Sequence, residues 1–259
     1  APEVILTVTD AAGQPVRRVT GPAKAGFHRV AWDLRFPAPD PVTLRSEEPE
    51  APWDHVAQGP LVAPGRYAVS FALRAQGRTL PLGDPETFQA EPLGAETLSP
   101  GDAAALQAFH GQVARLQRAV MGADRLMHEA KTRLDYLSKA ALDTPAAPPA
   151  LLDRAKALAA ELAGLRAELA GDPVMAKYQA PQVPAIADRV GRVVEGTWMV
   201  STPPTETQRQ NYQQAAQAFT DWLPRAKAFL DRDLKGLESA LDAAGAPWTP
   251  GRLPVWNKD

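Results

Sequence analysis

The sequence predicts an α+β protein of two domains. An antiparallel β-sandwich occupies residues 1–95, and an all-α antiparallel bundle of four helices, two long and two short, occupies residues 96–259. The first part contains short alternating segments separated by glycine and proline, whereas the second repeats apolar residues at steps of three and four. With 259 residues, the chain is long enough for two domains of ordinary size.

Five segments of the first domain have the alternation and the β-branched content of strands. They are VILTVTD, VRRVTGP, FHRVAWDL, YAVSFALR and TLPL. Between the third and fourth segments, residues 36–64 are rich in proline and contain several acidic residues. Proline interrupts the hydrogen bonding of a central strand, so this stretch is predicted to be a long loop that crosses between two sheets.

The stretch AGFHRVAWDLR, residues 25–35, holds the densest cluster of polar and aromatic side chains in the chain. Counting by twos places four of its residues on the core-facing side of a strand. They are His28, Val30, Trp32 and Leu34. His28 is therefore predicted to be half-buried, and His28→Ala to cost stability before activity. Asp33 follows the core residues, where an aspartate commonly starts a turn through a side-chain bond to the backbone.

The first helix is predicted over residues 102–143, which is about 60 Å at about 1.5 Å per residue. Ser99 is its predicted N-cap, and Thr144-Pro145 ends it. One apolar seam alternates steps of three and four for about five heptads. Its members are Leu106, Phe109, Val113, Leu116, Val120, Ala123, Met127, Ala130, Leu134, Leu137 and Ala141.

Three further helices are predicted, over residues 150–170, 184–200 and 205–244. Their apolar seams are, in order, Leu151, Ala155, Leu158, Leu162, Leu165 and Leu169; Ile186, Val190, Val193 and Thr197; and Tyr212, Ala216, Phe219, Leu223, Ala226, Leu230, Leu234, Leu237 and Leu241. Pro224 is expected to bend the last helix or open it locally. The two short helices either lie side by side in a four-helix bundle, the preferred arrangement, or follow one another along the long pair in a three-helix coil.

The composition excludes several classes of function. A net charge of −2 without a basic block argues against a nucleic-acid partner, and no apolar run is long enough to span a bilayer. The absence of cysteine excludes disulfides, thiolate catalysis and cysteine-based zinc sites. The four histidines do not have metal-ligand spacing, so no metal or cofactor is predicted. Two of them, His110 and His128, lie off the seam of the first helix and are predicted to be surface residues.

No catalytic residue is predicted, although three groups of residues are candidates for a site. Asp33 and Asp54 are the only carboxylates to pair in a glycosidase mechanism. Trp53, Asp54 and His55 lie in the long loop, where residues 36–60 are a candidate carbohydrate-binding surface; alternatively, Trp53 packs on the protein itself. Trp248 and Trp256 belong to an aperiodic tail, residues 245–259, and pack either onto the bundle or onto a partner.

Several motifs together carry a family resemblance. The stretch TDAAGQPVRRVTGPAKAGFHRVAWDLR, followed by GPLVAPGRYAVSF, resembles the Ig-like module of flagellar hook-capping proteins, whose fold is an Ig-like or fibronectin-like sandwich. With STPPTETQ and the closing APWTPGR, the chain is similar to the C-terminal region of large bacterial β-propeller proteins. Those proteins carry BNR or sortilin-like repeats and are often labelled glycosyl hydrolases. The propeller boxes S-x-D-x-G-x-T-W are absent from this sequence.

The resemblance implies a non-catalytic accessory region that packs against, or presents, an N-terminal propeller of the same parent protein. It also implies a periplasmic or secreted location, and protein–protein contacts or self-association through the helices. Two alternatives stay open: a carbohydrate-binding module that uses the 36–60 loop, and a part of a glycosyl hydrolase active site that uses Asp33. The first residues, APEVILTVTD, already have a strand pattern, which suggests a piece of a longer or processed protein.

Overall fold

The computed structural model describes residues 1–44, 57–93, 98–198, 200, 202–254 and 256. It is an α+β protein with an antiparallel sheet of five strands and several helices. The chain forms two compact units. The first comprises residues 1–115 and 194–206, and the second comprises residues 116–193 and 207–259. The predicted domain boundary near residue 95 stays a prediction.

All strands belong to the first unit and pair antiparallel. They are β1 (Glu3–Asp10), β2 (Pro15–Pro22), β3 (Gly65–Ala75), β4 (Arg78–Pro81) and β5 (Glu86–Ala90). The sheet order is β2-β1-β3, and both β4 and β5 pair with β3. Four of the predicted strands are therefore confirmed, whereas β5 was not predicted.

One face of the sheet carries large apolar side chains, whereas the other mixes small, polar and apolar ones, and the two alternate with a period of two. Leu6 lies opposite Phe71 and Val8 opposite Val69 on the apolar face. The pair Thr7 and Ser70 lies on the other face. The apolar face forms a core around Val8, Val16 and Tyr67, against which Trp32, Phe36, Val62, Phe88 and Ala90 pack. The ring of Trp32 meets the ring of Tyr67 edge-on, with 5.7 Å between the ring centroids.

The predicted third strand, FHRVAWDL, is wrong. Its residues are irregular, and the chain pairs only once, where Arg35 bridges to Leu61. Leu34 has a φ of 58°, in the left-handed region, which ends any extended run, and its side chain is exposed. His28 is also exposed, and its Nε2 lies 2.8 Å from the carbonyl oxygen of Lys24. Only Val30 and Trp32 are half-buried as predicted.

The segments around this bridge cover the apolar face of the sheet. The amide of Phe36 donates to the carbonyl of Pro60 at 3.0 Å, and the amide of Val62 donates to the carbonyl of Leu34 at 2.9 Å. The Arg35 guanidinium donates to the carbonyl of Gly59 at 3.0 Å. Among the described residues the strands form one sheet, so a sandwich of two sheets is not confirmed.

The helices are α1 (Pro100–Asp143), α2 (Pro149–Ala170), α3 (Pro173–Lys177), α4 (Ile186–Thr197), α5 (Glu206–Ala228) and α6 (Lys235–Ala243). A π-helical segment, Phe229–Leu234, joins α5 to α6. The short α3 was not predicted, and the Asp172 side chain caps it by accepting from the amides of Val174 and Met175. Ser99 caps α1, because its hydroxyl accepts from the amide of Asp102 at 3.2 Å.

The predicted seam of α1 is confirmed. Nine of its members are buried, and the remaining two, Leu116 and Ala123, are half-buried. A 44-residue helix with this stripe gains most of its stability from tertiary packing rather than from helix propensity.

The predicted seam of the last helix is confirmed in part: Phe219, Ala226, Leu234, Leu237 and Leu241 are buried, Tyr212, Ala216 and Leu230 are half-buried, and Leu223 is exposed. The buried apolar residues are Ala215, Phe219, Trp222, Ala226, Phe229, Leu234, Leu237 and Leu241. Successive residues of this set are alternately four and three positions apart, until five positions separate Phe229 from Leu234. That spacing coincides with the π-helical segment, whose i→i+5 bonds insert one residue into the turn. The helix continues as α-helix through Pro224, so the widening lies beyond the proline.

In the second unit, α4 and α2 contact different parts of the last helix. Arg189 of α4 donates to Gln214 of α5 at 2.8 Å. Further along α5, Trp222 Nε1 donates to the carbonyl of Leu165 of α2 at 2.9 Å. In this unit α4 and α2 therefore contact successive stretches of α5, which is the serial arrangement. The side-by-side four-helix bundle is not confirmed.

Replacing Gly59 with alanine should destabilise the first unit. A β-carbon at Gly59 would lie 2.2 Å from the carbonyl oxygen of Phe36 and 2.6 Å from that of Pro37, so the backbone must move. Overpacking of this kind costs about 1–3 kcal/mol, measurable as a lower midpoint in urea. The matched variant Gly111→Ala meets only the Arg115 guanidinium, at an ordinary 3.7 Å, and should stabilise α1 by up to about 1 kcal/mol. Equal midpoints for Gly59→Ala and the native protein would contradict the close approach.

Candidate interaction surface at the C-terminal tail

The chain leaves α6 through a glycine turn. Gly245 has a φ of 73°, and the amide of Ala246 donates back to the carbonyl of Leu241 at 2.9 Å. This six-to-one bond and the left-handed glycine are the marks of a Schellman cap. The cap directs the next residues away from the helix axis. We call residues 246–252, APWTPGR, the tail turn.

Arg252 holds the tail turn together. Its Nε donates to Thr249 Oγ1 at 2.9 Å, and one terminal nitrogen donates to the carbonyl of Pro247 at 2.6 Å. The other terminal nitrogen pairs with the carboxylate of Asp242 on α6. The Arg252 side chain is only 4% exposed, so these bonds are made largely away from water. A charged, buried fork with three partners fixes the geometry of the turn.

The tail turn is also fixed to α1. Gly251 has a φ of 91°, and a β-carbon there would lie 3.0 Å from Nε of Arg133. The Arg133 guanidinium in turn donates to the Glu238 carboxylate at 2.5 Å. Glu238 is buried on α6, so its charge requires this partner. The turn therefore packs closely on a buried ion pair between α1 and α6.

The tail turn presents a tryptophan to solvent. Nε1 of Trp248 donates to the carbonyl of Arg252 at 2.7 Å, whereas 58% of the residue is exposed. Leu253 and Trp256 follow and are 89% and 85% exposed. Neither tryptophan is buried, and both predicted alternatives, packing onto the bundle and contact with a partner, stay predictions. The polar edge of Trp248 is satisfied internally, and its exposed area is a hydrophobic anchor of the kind that dominates protein interfaces.

Sequence reasoning identified Trp248 and Trp256 but missed Arg252, Thr249 and Asp242. No periodic pattern marks these three residues, because they meet through a turn rather than along a helix face. The one signal in the sequence is the density of proline, glycine and arginine in APWTPGR, which no coil or sandwich requires.

The other candidates do not gather into a site. Trp53, Asp54 and His55 lie outside the described residues. Asp33 is exposed, and its carboxylate accepts from the amide of Arg35 at 3.2 Å, as the turn interpretation predicts. On the π-helical segment, hydrogen bonds from Lys227 and Lys235 lower the pKa of Asp231, which is an exposed ion-pair arrangement.

His110 is buried, which corrects its predicted surface placement. It is 4% exposed, and its Nε2 lies 3.1 Å from the carbonyl oxygen of Thr197. Burial lowers the pKa of His110, and the hydrogen bond to Thr197 opposes this shift in part. His128 is exposed as predicted; its Nδ1 lies near the Asp124 carbonyl and its Nε2 near the Arg166 guanidinium.

Comparison of the chain with protein-family models, with curated proteins and with solved structures finds no match. Across the described ranges, no group of three or more His, Asp or Glu side chains is placed to hold a metal ion. Over the same residues, every helix is too short or too polar to cross a membrane. The tail surface is therefore interpreted from its geometry and chemistry.

Arg252→Ala should loosen the tail turn and lower the free energy of unfolding by about 2 kcal/mol, because it leaves Asp242 and Thr249 without their partner. Urea unfolding measures the free energy, and amide hydrogen exchange over residues 246–252 measures the order of the turn. Arg232→Ala removes an exposed ion pair with Asp233 and should leave the free energy of unfolding nearly unchanged. If amide hydrogen exchange over residues 246–252 is as slow in Arg252→Ala as in the native protein, this role of Arg252 is refuted.

Acidification should destabilise the native protein through His110. The unfolded chain takes up a proton at this histidine near pH 6.5, whereas the folded chain, with its lowered pKa, does so only at lower pH. The contribution of His110 to stability is thus complete above about pH 6.5 and is lost as the pH falls through the folded pKa. Unfolding curves from pH 7.5 to 5 should show a weaker dependence in His110→Gln than in the native protein. An unchanged pH dependence in His110→Gln would contradict this role of His110.

Proposed function

We propose that this chain is a non-catalytic support and interaction region that docks onto a β-propeller of the same parent protein. The tail turn and the residues after it form the docking surface. The observation that carries this proposal is the exposed Trp248 ring, held in one orientation by the Arg252 bonds.

The energetics of association favour such a surface. Interface anchors are enriched in tryptophan, and a segment that is already ordered loses little conformational entropy on binding. The polar groups of the tail turn are already engaged with one another, since Arg252 binds Thr249, Pro247 and Asp242. A partner therefore meets mainly apolar area at Trp248, and burying that area leaves no unpaired indole donor.

The parent protein suggested by the sequence motifs is a large bacterial protein with BNR or sortilin-like propeller repeats. In this proposal any glycosyl hydrolase activity belongs to the propeller, and the present chain supports or orients it outside the cytoplasm. The same proposal treats the five-stranded sheet as part of an Ig-like sandwich and the helices as a coiled bundle. The alternation along β1 and β3 and the α1 seam support these finer assignments.

Trp248→Ala should weaken binding to the propeller. With the propeller segment of the parent gene and this chain produced as separate proteins, isothermal titration calorimetry measures their dissociation constant. Truncating a central anchor costs about 2 kcal/mol or more, which is a rise of about 30-fold in the dissociation constant. Tyr178→Ala is the matched control, since Tyr178 is an exposed aromatic residue on a different surface segment and should not change binding.

Three results would contradict the proposal: a parent gene without propeller repeats, separated domains that do not bind, or unchanged affinity in Trp248→Ala. Light scattering after size exclusion tests self-association, and a Trp248-dependent dimer would assign the surface to a second copy instead. A glycan array with the native chain tests the carbohydrate alternative. Binding there that survives Trp248→Ala would favour a separate sugar site.

A further inference from the structure

One end of the β-sheet carries a cleft that has no role in the proposed function, which we call the sheet cleft. Its volume is about 530 Å³, within the range of small-molecule sites. It is lined by residues of β1, β2 and β3 and by the irregular segment that follows β2. The lining includes Leu6, Phe71, Gly21, Arg29 and Val30.

The floor of the sheet cleft continues the apolar face of the sheet. Leu6 and Phe71 lie opposite each other in the register of β1 and β3, and both are only half-buried. The fully buried core lies further along, at Val8 and Tyr67, where Trp32 covers it. The covering segment therefore leaves apolar area accessible at this end of the sheet.

A glycine gives the sheet cleft its shape. A β-carbon at Gly21 would lie 2.9 Å from a methyl group of Val30 and 3.7 Å from one of Leu6. Only a residue without a side chain lets Val30 approach the sheet this closely. The covering segment thus meets β2 at Gly21 and stands beside the apolar floor.

The charged residues of the covering segment beside the sheet cleft are basic. The segment from Gly21 to Val30 contains Lys24 and Arg29 and no acidic residue. Arg29 lines the sheet cleft and is exposed, and within the described part of the chain its guanidinium has no ion pair or hydrogen bond. The acidic Glu3 nearby in β1 is already paired with Arg74 at 2.6 Å.

We propose that the sheet cleft binds a small amphiphilic anion, with a flat apolar body and one carboxylate or sulfonate. The body lies against Leu6, Val30 and Phe71, and the Arg29 fork binds the anionic group. The lining side chains carry no carboxylate, hydroxyl or amide, which are the groups that recognise a polyhydroxy ligand such as a sugar. This site is independent of the tail surface and of the proposed docking.

A pair of fluorescent probes tests the proposal on the full chain. The anionic probe is 8-anilinonaphthalene-1-sulfonate, and N-phenyl-1-naphthylamine is its neutral counterpart without the sulfonate. Both brighten on transfer to an apolar site, so titration yields two dissociation constants. The native protein should bind the anionic probe at least about tenfold more tightly, because a hydrogen-bonded charge pair contributes this much.

Three variants locate the binding. Arg29→Ala should weaken binding of the anionic probe at least about tenfold and leave the affinity for the neutral probe unchanged. Gly21→Ala, which moves Val30, should weaken the binding of both probes. Arg78→Ala, at an exposed arginine that does not line the sheet cleft, is the matched control and should change neither.

Equal affinity for the two probes, native binding in Arg29→Ala, or no binding at millimolar probe would each overturn the proposal. Arg29 supports no other described group, so its replacement leaves the fold intact, and circular dichroism checks this. If Gly21→Ala misfolds, the Arg29 result decides alone. Probe binding that depends on Trp248 but not on Arg29 would place the probe on the tail and also refute the sheet cleft.

Discussion

The burial of one apolar stripe along α1 is the interaction on which the helical part of this protein depends. Met127, Ala130, Leu134 and Leu137 are almost completely removed from solvent, and each large apolar side chain buried in this way contributes about 1.5–3 kcal/mol. The intrinsic helix propensity of the residues would stabilise an isolated helix far less than this burial does. The last helix buries its own apolar stripe, and the π-helical segment at Phe229–Leu234 brings Phe229 and Leu234 onto the buried side together.

The tail surface depends on the same packing. Arg133 and Glu238 form a buried ion pair between α1 and α6, and Gly251 lies directly against Arg133. Arg252 anchors the turn to Asp242 at the end of α6. The position of Trp248 is thus set by charged residues on two helices that are far apart in the sequence. Hydrogen bonds and ion pairs, rather than a hydrophobic core, hold this surface in place.

The apolar face of the sheet is only partly buried. It is covered by irregular chain around the Arg35–Leu61 bridge, and Gly59 allows that chain to approach the carbonyls of Phe36 and Pro37. Trp32 closes the core at one end. At the other end, the covering segment leaves the sheet cleft with Arg29 beside it. The sheet cleft thus forms where irregular chain covers the apolar face only in part, and the buried core around Val8 and Tyr67 stays intact.

Local patterns determined much of this protein directly from the sequence. The seam of α1, the alternation along β1 and β3 and the Ser99 cap depend on neighbours within a few residues, so periodicity predicts them. Trp248 was predicted as a candidate that packs either onto the bundle or onto a partner, because it lies in a tail without periodicity. Only the tertiary structure decided the irregular path of residues 27–34, the burial of His110 against Thr197 and the Arg252 turn. Each depends on a partner distant in the sequence or on a left-handed backbone angle, and neither leaves a periodic signal.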